Sequence, residues 1–316
     1  MTITLVSYNI EHMKDMFKAN KIKDEALPRV EAFKQFCDEF TPDIITVVEA
    51  ANKEWMHEIF LEATGLREKG FRVARGHSRG VHDIAMYYNT LLFSVEKVDE
   101  AFSAFEGNWY DDIDDDGVEE VYRFERIPLE VRFSIAGGGS LTLITIMNKS
   151  KNVARSTGFH QYENFALGTR KKQIAQGKKI RERMDAILDE NSDAMVVVTG
   201  DFNDDPGLDP YEKQLGQSSV EIIMGSIWHP ETIFTNVLRH LIENGRGVYT
   251  LEFHDRIMHN YSERKAWLDH ILVSPSMMKQ DARLQLIPAS GSVIYENETV
   301  KVISDHFPII CQFDLN

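Results

Sequence analysis

Cysteine is nearly absent: the 316 residues hold two, Cys37 and Cys311, at opposite ends of the chain. Each sits in an apolar pattern, so both read as buried reduced thiols rather than a disulfide framework. Two cysteines also leave no Cys/His spacing of the structural zinc kind. No apolar run approaches the roughly 20 residues of a membrane-spanning helix. Nor does a basic segment followed by an apolar one precede Met1 to Ile10, which already reads as a strand. The expectation is a chain without a secretory signal and a cytoplasmic location, with a trimmed secreted form as the alternative. Positive charge is scarce as well: 35 Lys and Arg face 50 Asp and Glu, a formal charge of −15. Such a surface repels a long phosphate backbone unless a metal or a local basic patch offsets it. No repeat, low-complexity linker or obligate protein partner is evident.

What is present is ordinary globular material, 43% hydrophobic and 27% charged, enough for a substantial core. Leu5 to Ile10 reads as a strand and Ala26 to Phe40 as a helix closed by Pro42. Asp43 to Val48 is a short, nearly continuous apolar run, as expected of a strand covered on both faces, and Glu49 ends it. Lys53 to Thr64 looks helical. Strands follow at Phe71 to Ala74, Ile84 to Tyr88, Leu91 to Val95, Phe124 to Ile135 and Leu141 to Met147. Lys149 to Gly168 reads as polar and irregular, and Thr169 to Asp189 as a basic amphipathic helix. Ala194 to Thr199 is another buried strand that runs into Gly200-Asp-Phe-Asn203, and strands recur at Ile271 to Ser274 and Phe307 to Phe313. Interleaved strands and helices predict one α/β domain over residues 1–316, with sheets covered by helices.

Several of these strands end in a polar residue of a catalytic kind. Asn9 and Glu11 follow the first, Glu49 the second, and Asp201 and Asn203 the strand ending at Thr199. Asp269 precedes Ile271, and Asp305 with His306 precedes the last strand. Any one of these alone is more often a cap or turn residue. Together they make a set of hard oxygen ligands plus one imidazole, suited to Mg²⁺ or Mn²⁺ and to hydrolysis of an anionic ester. Asp112, Asp114, Asp116 and Gly117 approximate the start of a calcium loop, so Ca²⁺ is a further candidate ion. Flanking helices are not evident there, and a solvated acidic loop is the favoured reading.

Ser7-Tyr-Asn-Ile-Glu11, Pro42-Asp-Ile-Ile-Thr-Val-Val-Glu49, Thr199-Gly-Asp-Phe-Asn203, Trp267-Leu-Asp-His-Ile-Leu-Val-Ser274 and Ser304-Asp-His306 resemble, in order, the motifs of the endonuclease/exonuclease/phosphatase superfamily. The resemblance spans essentially the whole chain. It implies a DNase I-like, four-layered sandwich of two mixed β-sheets flanked by helices, and a metal-dependent phosphodiester hydrolase. It further implies that Asn9, Glu11, Glu49 and Asp305 serve a metal and that Asp201 orients or deprotonates water. Asn203 would donate to phosphate, with Lys149 and Ser150 beside it, and Asp269 would hold His306 in one tautomer. His270 then reads as structural, and His82, His160, His254 and His259 as surface or loop residues, with His254 or His259 bordering the cleft as the alternative.

The chain also resembles a bacterial subgroup with a His-Leu-Lys-Ser-Lys motif, matched through Ser78-Arg-Gly-Val-His-Asp83, Met147-Asn-Lys-Ser-Lys151 and Arg170-Lys-Lys-Gln-Ile-Ala175. Met147 stands where that motif has His, and a thioether neither transfers a proton nor donates to phosphate. Lys149 and Lys151 remain as point charges toward phosphate, with a solvated basic turn the equal alternative for Lys151. The charge favours a small diester or single-stranded nucleic acid over long duplex, whereas the basic helix from Thr169 to Arg183 favours a nuclease if its basic face lines the cleft. A phosphomonoesterase or lipid phosphodiesterase of the same fold is the second reading. A degenerate member that binds a phosphate ligand without turnover is the third, with Met147 its one supporting feature.

Overall fold

In the computed structural model the residues described are 1–78, 82–98, 104–153, 158–255 and 262–316. Two large mixed sheets face each other. One runs in the order Leu284–Leu286, Ile309–Leu315, Thr2–Asn9, Ile44–Ala50, Asp83–Asn89 and Phe71–Arg75, with Ser292–Val293 beside Ile309–Leu315. The other runs Thr235–Asn236, Asp269–Val273, Met195–Asp201, Ser140–Met147, Leu129–Ile135 and Phe93–Lys97. Within each sheet two central strands run parallel, Thr2–Asn9 with Ile44–Ala50 and Ser140–Met147 with Met195–Asp201, so their C-terminal ends emerge at one end of the sandwich.

Alternation along the strands explains the layers. Leu141, Leu143, Met147, Val197, Ile271 and Val273 join the core shared with the first sheet. Thr46 and Thr199 touch across the gap, Oγ1 to Oγ1 at 3.4 Å. Ile144, Ile146, Val196, Val198, Phe202 and Leu272 face the opposite way and bury against Ile180, Met184, Ile187 and Leu188 of the helix Phe159–Glu190. Each such side chain contributes roughly 1.5–3 kcal/mol on leaving water. Burial on both faces is why Met195–Asp201 is buried at every position and reads as a continuous apolar run. On the outer face of the first sheet, Tyr8 packs on Phe36 of the helix Leu27–Phe40 and donates to Val300 O at 3.0 Å. Two sheets with helices outside both make the expected four layers.

Some expected boundaries shift. The long helix starts at Phe159, ten residues before the expected Thr169. Its first turns carry exposed Phe159 and Phe165 and no apolar stripe, so periodicity could not reveal them. The strand expected from Phe124 begins at Leu129, and that expected at Leu91 begins at Phe93. Residues 79–81 of the Arg-Gly motif, and His259, lie outside the described residues. Among the described residues, no helix is long and apolar enough to cross a membrane.

Candidate active site

Four strand ends meet at one end of the sandwich. Asn9 closes the first strand and is 1% exposed. Glu49 sits at a bulge: pairing with Asp83–Asn89 shifts register between Val47 and Ala50, and Glu49 takes a left-handed φ of 55°. A bulge re-aims a side chain that regular pleating would point elsewhere. Asp201 ends its strand directly opposite Asp269 in the antiparallel neighbour. Gly200 before it has φ +124°, and a Cβ there would lie 2.1 Å from Ile146 O, so only glycine lets the two strands approach at this point. His306 leads into the last strand and is anchored by a bridge to Leu251 and by its N–H to Ser304 Oγ at 3.1 Å.

The side chains form a line. Asp269 Oδ2 lies 2.7 Å from His306 Nδ1. Asn9 Nδ2 stands 3.4 Å from each of His306 Nε2, Asp201 Oδ2 and Glu49 Oε1, while Asn9 Oδ1 accepts the Glu11 N–H at 3.1 Å. Asn203, with φ 53°, donates to Asp201 twice, through its backbone N–H and through Nδ2, both at 2.8 Å. Its Nδ2 also donates to Asn148 O at 3.2 Å. Both Asn203 amide hydrogens are thus used within the protein, which gives this residue the geometry of a brace on Asp201.

Burial and neighbours perturb the ionisable pair. Burial, then the Asp269 charge, push the Asp201 carboxyl up to about 7, against the opposing pull of His306 and of the Asn203 N–H. Burial disfavours the His306 cation, yet Asp269, Asp201 and Asp305 outweigh it and raise the imidazole to about 10. The His306 cation, paired with Asp269, offsets part of the repulsion between the two facing aspartates.

Around this line sits a supporting frame. Thr250 Oγ1 accepts the N–H of both Leu268 and Asp269 at 3.0 Å, and Trp267 Nε1 donates to Asp269 O at 2.9 Å. Gln173 of the long helix donates to the carbonyls of Lys149 and Asn203, both at 2.7 Å. The Arg29 guanidinium binds the carbonyls of Ile10, Glu11 and Ile303, tying the segment after Asn9 to the helix that precedes Asp305 and His306. Lys151 meets Asp204 at 2.5 Å and Glu212 at 2.6 Å. It therefore cross-links the loop after Asn203, and neither expected role, phosphate contact or solvated turn, describes it.

The remaining expected residues spread out. Glu11 is half-buried and contacts Asn9 through its backbone. Asp305 is exposed, with Oδ1 3.5 Å from Ser304 Oγ, and acts on His306 through its charge. Lys149 takes Gln176 Oε1 on its backbone N–H at 2.9 Å, Ser150 Oγ accepts the Asn152 N–H at 3.2 Å, and Lys149 lines a cleft of about 570 Å³ with Phe165 and Lys172. His270 is buried between Asp204 O at 2.9 Å and Asn236 Nδ2 at 3.0 Å. Met147 is opposite Asp201 in the parallel register and shares its face, whereas Asn148 turns away to donate to Ser219 Oγ at 3.2 Å. No protic side chain from this strand end therefore faces Asp201.

Sequence reasoning missed two imidazoles. His12 Nδ1 lies 2.9 Å from Glu49 Oε2, and His82 Nε2 lies 3.2 Å from the same nitrogen. Their signal was position: His12 follows the Asn9–Glu11 motif and His82 immediately precedes Asp83, which pairs with Ala50. The carboxylates of Glu49 and Asp201 supply hard oxygen, Asn9 offers its own oxygen there once its amide is turned, and the buried Asp269 Oδ1 has no hydrogen-bond partner among the described residues. A divalent cation fits that chemistry.

A family model described as the Endonuclease/Exonuclease/phosphatase family matches residues 6–306. Among solved structures, TDP2 from C. elegans superposes with a TM-score of 0.59 at 14% identity, covering 99% of this chain and 75% of that one. D. rerio TDP2 complexed with a single-strand DNA product gives 0.57 at 14% identity, covering 99% of each chain. The human Nocturnin catalytic domain with a bound sulfate anion gives 0.55 at 15%, covering 100% and 95%. No curated protein matches the chain in sequence. At these identities the likeness shows the fold, which is DNase I-like.

Proposed function

From the premise that the chain belongs to the Endonuclease/Exonuclease/phosphatase family, we propose that it is a divalent-metal-dependent phosphodiester hydrolase with its reaction centre at Asp201 and His306. The observation that carries this reading is the convergence of Asp269, His306, Asn9, Asp201 and Glu49 on one strand-end cluster. Asp201 is assigned as the group that takes a proton from water. A carboxyl held near 7 retains enough basicity for that step at neutral pH. Asn203 fixes its two oxygens. His306, kept cationic by Asp269, places positive charge where a phosphoryl oxygen gains negative charge. Mg²⁺ or Mn²⁺ would be held by the Glu49 carboxylate and by Asn9 with its side-chain amide turned so that Oδ1 replaces Nδ2 toward the cluster, with Glu11 and Asp305 adding negative charge nearby. When bound, such an ion polarises the phosphoryl group and neutralises charge.

The substrate class follows from charge and from what the site lacks. The net charge of −15 disfavours long duplex, so a small diester or single-stranded nucleic acid is preferred. The D. rerio TDP2 complex, which holds a single-strand DNA product, is a precedent for the second on this fold. Met147 in place of a protic residue favours diesters whose leaving group departs without protonation from that side.

The test is the hydrolysis of bis(p-nitrophenyl) phosphate and of the monoester p-nitrophenyl phosphate with Mg²⁺, Mn²⁺ or chelator, followed by single-stranded and duplex oligonucleotides. Metal-dependent turnover of the diester, with single strands cut in preference to duplex, supports the proposal. Preference for the monoester moves the protein to the phosphatase reading. Inertness toward every substrate, with metal bound, supports the ligand-binding one.

A further inference from the structure

Beside the Asp201–His306 line, three lone-pair atoms from three separate parts of the chain meet at one point. They are His12 Nδ1, Glu49 Oε2 and His82 Nε2, and ligand atoms of the three residues all fall within 4.8 Å of one another. Each is placed by its own local feature. His12 follows the end of the first strand and takes a left-handed φ of 51°, and its backbone N–H also holds Glu49 Oε2, at 3.0 Å. Glu49 sits at the bulge, and its other oxygen, Oε1, faces Asn9. His82 stands at the entrance of the Asp83–Asn89 strand, with its carbonyl fixed by Ser78 Oγ at 2.6 Å. The Glu49 carboxylate therefore has one oxygen in an oxygen-rich environment and the other in an imidazole environment.

Protons alone do not satisfy the second environment. A neutral imidazole carries one N–H. If His12 Nδ1 is protonated, its hydrogen is directed to Glu49 or to His82, and the other short contact is left without one. If His82 Nε2 donates to His12 Nδ1, a bare nitrogen faces the carboxylate oxygen at 2.9 Å. If both rings are protonated, two N–H groups oppose each other at 3.2 Å. A divalent cation among the three satisfies all of them together. Ligands bound to one ion at roughly 2.0–2.2 Å lie about 3.3–3.6 Å apart in tetrahedral geometry, so the contacts of 2.9 and 3.2 Å would open by a few tenths of an ångström to admit it.

We propose that His12, Glu49 and His82 form a binding site for a borderline divalent transition-metal ion of the Zn²⁺ and Co²⁺ class, sharing Glu49 with the oxygen-rich site. Two imidazoles and one carboxylate select such ions over Mg²⁺, which prefers oxygen ligands and retains water. The His12 side chain is 53% exposed, so the site opens to solvent and leaves coordination positions for water or for a ligand oxygen. The assignment rests on this geometry and stands apart from the hydrolytic reading, which the diester assay tests separately.

The experiment titrates Co²⁺ into the metal-free full-length protein and follows the visible ligand-field absorption, with Zn²⁺ and Mg²⁺ as competitors. The expected result is saturable Co²⁺ binding that Zn²⁺ displaces and excess Mg²⁺ does not. His12→Ala and His82→Ala, checked for folding by circular dichroism, should each weaken Co²⁺ binding on the order of 10-fold or more. Co²⁺ binding of unchanged strength in both folded variants, or a wild-type protein that binds Co²⁺ no better than Mg²⁺, overturns the proposal. Should either variant misfold, Cu²⁺ bound to the unaltered protein decides the question by electron paramagnetic resonance. Coupling to two imidazole nitrogens supports the site, because His306 offers that region only its single Nε2. Coupling to one or none overturns it.

Discussion

Asp269 and His306 are joined by a 2.7 Å contact between Oδ2 and Nδ1, and Asp269 is itself held from behind by Thr250 and Trp267. The relationship fixes which ring nitrogen faces the cluster: Nε2 points to Asn9, and through it toward Asp201. Replacing Asp269 by Asn removes the charge that keeps His306 cationic and permits the wrong tautomer. The expected consequence for Asp269→Asn is a fall in kcat on the order of 10²- to 10⁴-fold with little change in KM, read from diester hydrolysis at saturating metal. A kcat within a few-fold of wild type would show that His306 needs no orienting partner.

Gly200 and Ile146 make a second, purely steric prediction. With φ +124° and a Cβ position 2.1 Å from the Ile146 carbonyl oxygen, Gly200→Ala cannot be accommodated without moving Asp201 or the neighbouring strand. A loss of about 3 kcal/mol in urea unfolding is expected, accompanied by reduced diester activity. A change below about 0.5 kcal/mol would mean that the two strands are looser than the register implies.

His57 predicts a pH dependence of stability remote from the active cluster. Its Nε2 is 2.8 Å from Ala51 O and its Nδ1 2.7 Å from the Tyr87 hydroxyl, in full burial. Burial, against the pull of the Ala51 carbonyl, lowers the imidazole from 6.5 to about 4. The unfolded chain therefore takes up this proton first. The contribution is fully present above 6.5 and is lost as pH falls through that value toward about 4. It amounts to roughly 3 kcal/mol. The urea midpoint should drop over this range in the wild type, and His57→Gln should flatten that part of the profile. An unchanged slope in the variant would assign the acid sensitivity to other groups.

What the sequence disclosed depended on how each residue reaches the site. Asn9, Glu49 and Asp201 end buried strands, where a polar residue stands out against a continuous apolar run, and these were legible. The Asp269–His306 pairing was legible only by resemblance, since the two positions lie 37 residues apart and only the fold makes them touch. His12 and His82 come from a turn and a strand entrance, and a bulge at Glu49 brings the carboxylate to them; no periodicity encodes that. In the sequence Lys151 reads equally as a phosphate-contacting charge or a solvated turn, because its partners, Asp204 and Glu212, are supplied by a loop and a four-residue helix. The sequence presents Asn203 as a donor to phosphate, and only the fold engages its amide with Asp201 and Asn148.

The central claim is that Asp201 takes the proton from the attacking water. It is tested most directly by Asp201→Asn, which keeps the side-chain shape while removing the basic oxygen. With folding confirmed by circular dichroism and Mg²⁺ or Mn²⁺ at saturation, the account predicts a loss of kcat on the order of 10²- to 10⁴-fold on bis(p-nitrophenyl) phosphate, with KM nearly unchanged. A variant that turns over the diester within a few-fold of the wild-type rate would contradict it.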